Sequence, residues 1–136
     1  MTKFIVDAGP LIGYLAADDQ WHAWSVETLN AIDDVLHTSE AVTAEVCFRL
    51  RRQKPAISRL LAWVDAGGLQ IVPVVAEHAA ELDVLVQKYD EMDLCDATVV
   101  HLSEVYRDCR VITTDSRHFH LYRRLRHQSI PLICPA

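Results

Sequence analysis

Four acidic side chains stand at the ends of predicted strands or inside apolar helical segments: Asp7, Glu45, Asp96 and Asp115. Carboxylate oxygens and water are the ligands that Mg²⁺ and Mn²⁺ prefer in proteins. A divalent cation neutralises the charge on a phosphodiester and activates a water for attack, whereas a carboxylate alone attacks poorly at neutral pH. The four acids therefore predict a site for metal-assisted hydrolysis of a phosphodiester.

Asp7 and Asp115 each follow a predicted strand. Asp7 comes directly after the apolar run 3–6, and Asp115 follows a run that ends near Thr113. In a parallel sheet both would stand at the carboxyl edge, and neighbouring strands would bring the two carboxylates together. The alternative is that each is a helix N-cap or a turn residue, since Asp suits both roles.

Glu45 lies in a segment whose other residues are mostly apolar. In the helix expected there, Glu45 shares a face with Val42 and Phe48. A buried carboxylate is unfavourable unless it is paired or bound to a metal. The alternative is a salt bridge to Arg49 one turn further on, which would place Glu45 at the rim of the apolar face.

Asp93 and Asp96 lie one turn apart at the start of another predicted helix. Asp93 is well explained as the N-cap of that helix. Asp96 follows the cap among apolar residues, and its interaction with the helix dipole is worth only about 0.3–1 kcal/mol. A metal ligand therefore explains Asp96 better than the dipole does.

Short apolar runs alternate with longer helical periodicities along the whole chain, and no repeat or linker interrupts them. Strands are predicted over 3–6, 35–37, 69–72, 110–113 and 131–133. Helices are predicted over 10–17, 21–33, 39 to about 52 with a Ser39 cap, 58–66, 76–88, 93–106 and 117–126. This alternation predicts an α/β fold, a central parallel sheet covered on both faces, in a single domain over residues 1–136.

The composition narrows the class of protein. With 136 residues, 51% hydrophobic and 24% charged, the chain suits one globular core. A net charge of −6 excludes a protein that coats nucleic acid with a basic surface, but it is compatible with an acidic metal site. The four cysteines form no C-x-x-C pair, and we expect unpaired thiols. We expect a cytoplasmic protein, because no apolar run reaches a membrane span of about 18 residues and no signal segment is recognisable.

Basic residues cluster at the end of the third predicted helix and in the last one. Arg49, Arg52 and Arg117 are candidates for contact with substrate phosphates, and the alternatives are a solvated helix face or a docking site for an acidic partner segment. The seven histidines contain no pair at zinc-motif spacing, and we expect ordinary surface or core residues. Trp21 and Trp24 are candidates for base stacking, although packing in the core or a dimer is the commoner role.

Four segments together resemble the PIN-domain family, which includes the VapC-type toxin ribonucleases. The matching segments are FIVD at 4–7, TAEV at 43–46, DLCDA at 93–97 and ITTDSRHF at 112–119. Each motif alone is weak, but their order and spacing across the chain make the resemblance strong. It implies a three-layer α/β/α fold and a Mg²⁺- or Mn²⁺-dependent endoribonuclease that leaves a 5′-phosphate.

The resemblance also implies which residues form the site. It places the catalytic, metal-binding acids at Asp7, Glu45, Asp96 and Asp115. Asp93 is an auxiliary acid, and Thr113 matches a polar position that often holds the fourth acid, Asp115, in place. Ala8 stands where many relatives carry Ser or Thr, so we expect Asp7 to lack an orienting hydroxyl.

The partners implied by the resemblance are an RNA substrate, a small antitoxin protein and a second copy of the chain, with helices near Trp21 and Leu61 as candidate dimer surfaces. The alternative within the family is a catalytically inactive PIN-like module that binds RNA or protein. A haloacid-dehalogenase enzyme needs a second Asp where this chain has Gly9. A response-regulator receiver needs a late Lys where it has Thr113 and Thr114. These two differences count against both alternatives, and the resemblance to the PIN-domain family implies a metal-dependent ribonuclease instead.

Overall fold

The computed structural model describes residues 1–136 and contains seven strands, seven α-helices and one short 3₁₀ turn at Leu125–His127. The strands are β1 (Lys3–Val6), β2 (Leu36–Ser39), β3 (Leu69–Val72), β4 (Cys109–Ile112), β5 (Arg123–Arg124), β6 (Gln128–Ser129) and β7 (Leu132–Ile133). The helices are α1 (Ala8–Leu15), α2 (His22–Asn30), α3 (Glu40–Arg49), α4 (Lys54–Asp65), α5 (Val75–Lys88), α6 (Leu94–Val105) and α7 (Ser116–Leu121). Each predicted strand and helix has a counterpart among them.

Five strands form one parallel sheet in the order β3-β2-β1-β4-β7. The chain runs outward from β1 through β2 to β3, and then returns to place β4 on the other side of β1. Strand order therefore reverses between β1 and β4, where parallel sheets commonly bind ligands beyond the carboxyl ends of the strands. The register pairs Val6 with Ile112, so the residues that follow β1 and β4 leave the sheet side by side.

Helices flank this sheet and give the fold its three layers. Helix α6 packs on β1, β2 and β4, and α5 packs on α6. Helix α1 packs against α2, α3 and α4, and α4 contacts β3. Ile5 and Val6 in β1, with Val111 and Ile112 in β4, are completely buried at the centre of the core. The predicted α/β/α fold with a central parallel sheet is confirmed.

Buried hydroxyl groups hold the elements that carry the acids. Thr38 in β2 donates a hydrogen bond to the main-chain oxygen of Val6 at 2.7 Å. The hydroxyls of Ser39 and Thr98 lie 2.7 Å apart and join the start of α3 to α6. Since these contacts are fully buried, α3 and α6 have fixed positions relative to β1.

The last predicted helix is shorter than expected, and the prediction of a helix over 117–126 is wrong for its second half. Helix α7 ends at Leu121, because Tyr122 adopts an extended backbone and buries its ring. Strands β5 and β6 then pair as a small antiparallel hairpin. Arg126 and His127, between these strands, both have positive φ, which a right-handed helix does not allow.

Three further details concern predictions made from the sequence. The helix predicted over 58–66 begins earlier, at Lys54. Pro55 stands in its first turn, where main-chain N–H groups have no acceptor within the helix, so the missing N–H of proline removes no hydrogen bond. The cysteines are free thiols, at Cys47, Cys95, Cys109 and Cys134. No helix has the length and hydropathy needed to cross a membrane.

Gly13 allows α1 to pack closely on α2, since a Cβ there would lie 2.3 Å from the Ser25 hydroxyl oxygen and 3.1 Å from the Trp21 main-chain oxygen. We expect Gly13→Ala to lower the free energy of unfolding by about 1–3 kcal/mol. The better helix propensity of Ala, worth about 1 kcal/mol, offsets only part of the clash. Urea denaturation measures the effect.

The matched control is Ser25→Ala. The Ser25 hydroxyl is buried without a hydrogen-bond partner, so Ser25→Ala alone should leave stability nearly unchanged. Combining it with Gly13→Ala should recover part of the loss, because the nearest clashing atom is gone. An unchanged midpoint for Gly13→Ala would contradict the close packing of α1 on α2.

Candidate active site

The carboxyl ends of β1 and β4 bring three polar residues into contact. Asp7 donates its main-chain N–H to the oxygen of Ile112 at 2.9 Å, which places it beside Thr113. The Thr113 hydroxyl donates to Oδ2 of Asp7 at 2.8 Å. The same hydroxyl oxygen accepts the main-chain N–H of Asp115 at 3.0 Å. Thr113 therefore links the acids that follow the two strands.

Thr113 also corrects an expectation from the sequence. The prediction that Asp7 lacks an orienting hydroxyl, made because Ala8 follows it, is wrong. Ala8 is buried in the hydrophobic core, and the hydroxyl comes from the neighbouring strand instead. The predicted contact of Thr113 with Asp115 exists, but it is made to the main chain rather than to the carboxylate.

Asp7 is a buried carboxylate without a basic partner. It is only 7% exposed, and no Lys, Arg or His forms an ion pair with it. Burial raises the pKa of Asp7 from 3.8 to about 6, against hydrogen bonds from Thr113 and Ala8 that lower it. The negative charges of Glu45 and Asp115 raise that pKa further. A charge on Asp7 is therefore unfavourable until a cation neutralises it.

Asp96 lies in the first turn of α6, and Asp93 caps that helix as predicted. The Asp93 carboxylate accepts the main-chain N–H of Asp96 at 2.8 Å. The Asp96 carboxylate accepts a hydrogen bond from the Tyr122 hydroxyl, also at 2.8 Å. Burial and then the charge of Asp7 raise the pKa of Asp96 to about 7, and Asp93 and Asp115 add to the effect. Asp96 therefore belongs to the same electrostatic cluster as Asp7.

Asp115 is the N-cap of α7, as one of the two interpretations of the sequence predicts. Its Oδ1 accepts the main-chain N–H of His118 at 3.3 Å, and its Oδ2 lies 2.9 Å from His118 Nδ1. The hydrogen bond with Asp115 raises the pKa of His118, as do the charges of Asp115 and Glu91. Capping does not remove Asp115 from the cluster, because its charge raises the pKa of both Asp7 and Asp96.

Glu45 lines a cavity of about 150 Å³ beside this edge of the sheet, together with Gly9, Trp21, Arg49 and Thr114 among others. No ion pair joins Glu45 to Arg49, so the salt bridge that the sequence left open as an alternative is not formed. The charge of Glu45 instead acts on the neighbouring acid cluster.

The buried face of α3 differs from the predicted one. Val42 and Val46 are completely buried, whereas Phe48 is 62% exposed. Glu45 is half-buried beside this face and does not share an apolar face with Phe48. Its membership of the acid cluster therefore follows from its charge beside Asp7 and not from burial among apolar side chains.

Of the three basic residues predicted to contact substrate, only Arg49 lies in the cavity with Glu45. Arg52 is exposed after α3, and Arg117 is exposed on α7. Trp21 lines the same cavity as Arg49, whereas Trp24 packs against the core. The structure therefore groups one cationic side chain and one aromatic side chain with Glu45.

Sequence patterns did not indicate two residues that hold the acids, His118 and Tyr122. The sequence predicts an ordinary surface or core residue at His118; its side chain is partly exposed, and its ring also contacts Asp115. Its position three residues after an N-cap aspartate, where side chains reach back to the cap, is the one pattern that indicates this contact. Tyr122 lies beyond the end of α7, and only the path of the folded chain brings its hydroxyl to Asp96.

The donor set fits a hard divalent cation. Its members are carboxylates, and no Lys or Arg forms an ion pair with any of them. No three of them stand close enough together to make a closed coordination shell. Mg²⁺ commonly keeps several waters and is bound through one or two carboxylates together with substrate phosphates, so an open acidic cluster suits it.

The model of the PIN domain family matches residues 4–125 of this chain. The chain belongs to the PIN domain family. This PIN domain is similar to Ribonuclease VapC26 of Mycobacterium tuberculosis, with 27% identity over 123 residues, which cover 88% of this chain and 91% of the relative.

Solved structures share the fold of this PIN domain. VapC20 of Mycobacterium tuberculosis, described as a toxin that cleaves the sarcin–ricin loop, has a TM-score of 0.72 at 18% identity, covering 80% of this chain and 87% of its own. VapBC2 of Rickettsia felis, bound to a promoter DNA fragment, has a TM-score of 0.66 at 12% identity, covering 99% and 100%. DNA-bound VapBC of Salmonella typhimurium has a TM-score of 0.59 at 18% identity, covering 98% of each chain.

Asp7→Asn should stabilise the metal-free PIN domain in a pH-dependent way. Because folding raises the pKa of Asp7 from 3.8 to about 6, the folded state binds more protons than the unfolded state in this window, and its stability falls as pH rises through it. The substitution removes this effect and keeps an acceptor for Thr113. We expect the free energy of unfolding to rise by about 1–3 kcal/mol at pH 7.5, and by much less at pH 4.

The control is Asp33→Asn, a substitution at an exposed position outside the cluster. Chemical denaturation in EDTA at both pH values measures the two variants and the wild type. Equal stabilities of Asp7→Asn and the wild type at pH 7.5 would contradict the unfavourable burial of this charge.

Proposed function

We propose that this chain is a Mg²⁺- or Mn²⁺-dependent endoribonuclease and the toxin of a toxin–antitoxin pair. The observation that carries the proposal is the buried carboxylate of Asp7, which has no basic partner and lies in the field of Glu45 and Asp115. Such an arrangement is unfavourable in the protein alone and becomes favourable when a divalent cation binds.

In this proposal each acid of the site has a stated role. Asp7, Asp96 and Asp115 would hold the cation, directly or through its bound waters, and Glu45 would hold a further water or orient the attacking water from the adjacent cavity. When bound, the cation neutralises charge on the scissile phosphate and activates the water. Hydrolysis forms one P–O bond to the water oxygen and breaks the bond from phosphorus to O3′, which leaves with a proton. The products are a 5′-phosphate and a 3′-hydroxyl.

We propose that one base of an unpaired RNA strand docks at the cavity beside Glu45. Trp21 supplies an aromatic side chain for a base and Arg49 supplies a cation for a phosphate, and both line the cavity beside Glu45. Arg52, after α3, and Arg117, on α7, are exposed, and we assign them to neighbouring phosphates. Because the net charge is −6, RNA binding depends on these local contacts and on the metal.

The similar proteins support the proposed ribonuclease activity and the proposed antitoxin partner. A homologue at 27% identity is named a ribonuclease, and VapC20 is described as a toxin that cleaves the sarcin–ricin loop. Two structures of the same fold are VapBC assemblies on DNA. We therefore propose a small antitoxin protein as a partner of this chain, and single-stranded or structured RNA as its substrate.

Glu45→Gln tests whether Glu45 serves the site. The substitution keeps the shape of the side chain and removes its charge, so stability should change by less than about 0.5 kcal/mol. RNA cleavage should fall by about 100-fold or more if a charged ligand or a water-orienting group is lost, and Mn²⁺ should bind more weakly. The measurements are cleavage of a labelled RNA and titration with MnCl₂.

Glu27→Gln, at an exposed position on α2, is the matched control and should behave as the wild type. A Glu45→Gln variant that cleaves at the wild-type rate would exclude Glu45 from the site. Undiminished cleavage in excess EDTA would exclude the cation from the mechanism. A wild-type chain that binds RNA without cleaving it would instead favour the inactive PIN-like binding module.

We also propose a homodimer, as the resemblance to VapC-type proteins implies. Of the two candidate surfaces, α4 suits it better, because Leu61 is 53% exposed whereas Trp21 lies in the cavity beside Glu45. Light scattering at about 50 μM should give the mass of two chains, and Leu61→Asp should shift the protein towards one. A wild type of monomeric mass would count against the dimer.

A further inference from the structure

His118 bridges two carboxylates from different parts of the chain. Its Nδ1 lies 2.9 Å from Oδ2 of Asp115, and its Nε2 lies 2.6 Å from Oε2 of Glu91. Each ring nitrogen therefore lies within hydrogen-bonding distance of a carboxylate, one from a proposed cation ligand and the other from a residue outside the acid cluster. No other basic side chain in the molecule forms an ion pair with a carboxylate.

The bridge joins α7 to the loop between α5 and α6. Glu91 lies in that loop, two residues before Asp93, the cap of α6. Tyr122, one turn after His118, donates to the carboxylate of Asp96 at 2.8 Å. The rings of His118 and Tyr122 lie at 17° to one another with centroids 6.5 Å apart. Two neighbouring rings thus hold one acid each.

The orientation of Asp115 depends on the imidazole. Without the ring, the carboxylate keeps only the main-chain N–H of His118, at a long distance of 3.3 Å from Oδ1. Because the two oxygens of a carboxylate are rigidly connected, a donor on Oδ2 also sets the direction of the lone pairs that remain for a cation. Loss of a group that orients a metal ligand typically reduces metal affinity or activity by about 10–100-fold.

We propose that His118 is a positioning residue for Asp115 and that Glu91 holds the imidazole in place for this task, so that the α5–α6 loop contributes to the active site. The inference rests on the proposed function, because it assigns a task in a cation site. The alternative is a purely structural bridge. With side chains 29% and 58% exposed, an ion pair of this kind contributes little to stability.

Two substitutions test the contacts of the two His118 ring nitrogens separately. In His118→Asn the amide nitrogen takes roughly the position of Nδ1 and still reaches Asp115, whereas in His118→Gln it takes roughly that of Nε2 and still reaches Glu91. The dissociation constant for Mn²⁺ should rise about 10-fold or more in His118→Gln, and less than about 3-fold in His118→Asn. In RNA cleavage, kcat of His118→Gln should fall while KM changes little, and excess Mn²⁺ should restore much of the rate.

Glu91→Gln tests the outer half of the bridge and should raise the dissociation constant for Mn²⁺ by about 3–10-fold. His120→Gln is the matched control, because His120 is exposed on the same helix and has no part in the bridge. Titration with MnCl₂ alone measures the affinity, and thermal melting without metal measures folding separately. A merely structural bridge would change the melting temperature and leave the affinities equal.

Equal Mn²⁺ affinities of the wild type and both folded His118 variants would overturn the inference. If neither variant folds, a weakened affinity in Glu91→Gln supports the bridge, and an unchanged one overturns it. A wild type that binds no Mn²⁺ would refute the proposed function together with this inference. If the wild type binds Mn²⁺ and cleaves RNA, and the His118 and Glu91 variants have the same Mn²⁺ affinity as the wild type, the inference alone is refuted.

Discussion

The parallel pairing of β1 with β4 is the interaction on which the site depends. Its register sets Val6 against Ile112, and the next residue of each strand, Asp7 and Thr113, therefore meet in a 2.8 Å hydrogen bond. Burial of the apolar side chains in both strands specifies this register, because a shift by one residue would exchange the two faces of a strand. The hydrophobic core thus sets the geometry of the polar edge.

The acids at that edge lie close together although their charges repel one another. Asp7 and Asp96 have pKa values raised to about 6 and about 7, since burial and neighbouring acids both disfavour their charged forms. Hydroxyl donors from Thr113 and Tyr122 offset only part of this cost. A fold that keeps such groups close together loses some stability by doing so, as proteins commonly do at functional sites.

The short helix α7 shows how local structure and site geometry are coupled. Its N-cap is an acid of the cluster, and its end is set by Tyr122, whose ring packs edge-on against Phe119 and Tyr89. This aromatic packing fixes the path of the chain after the helix. It also brings the Tyr122 hydroxyl to Asp96, so that the residue that ends the helix also orients a carboxylate.

The sequence by itself determined the order of the five strands of the parallel sheet and of the helices between them, and it identified the acids, because apolar periodicity and motifs are properties of the sequence itself. It also indicated that Asp93 is a cap. Only the tertiary structure decided that Thr113 orients Asp7 and that Tyr122 holds Asp96. Asp7 and Thr113 are 106 residues apart, and no local pattern encodes such a contact. Its geometry follows from strand register and side-chain packing, which exist only once the sheet and its helices have assembled.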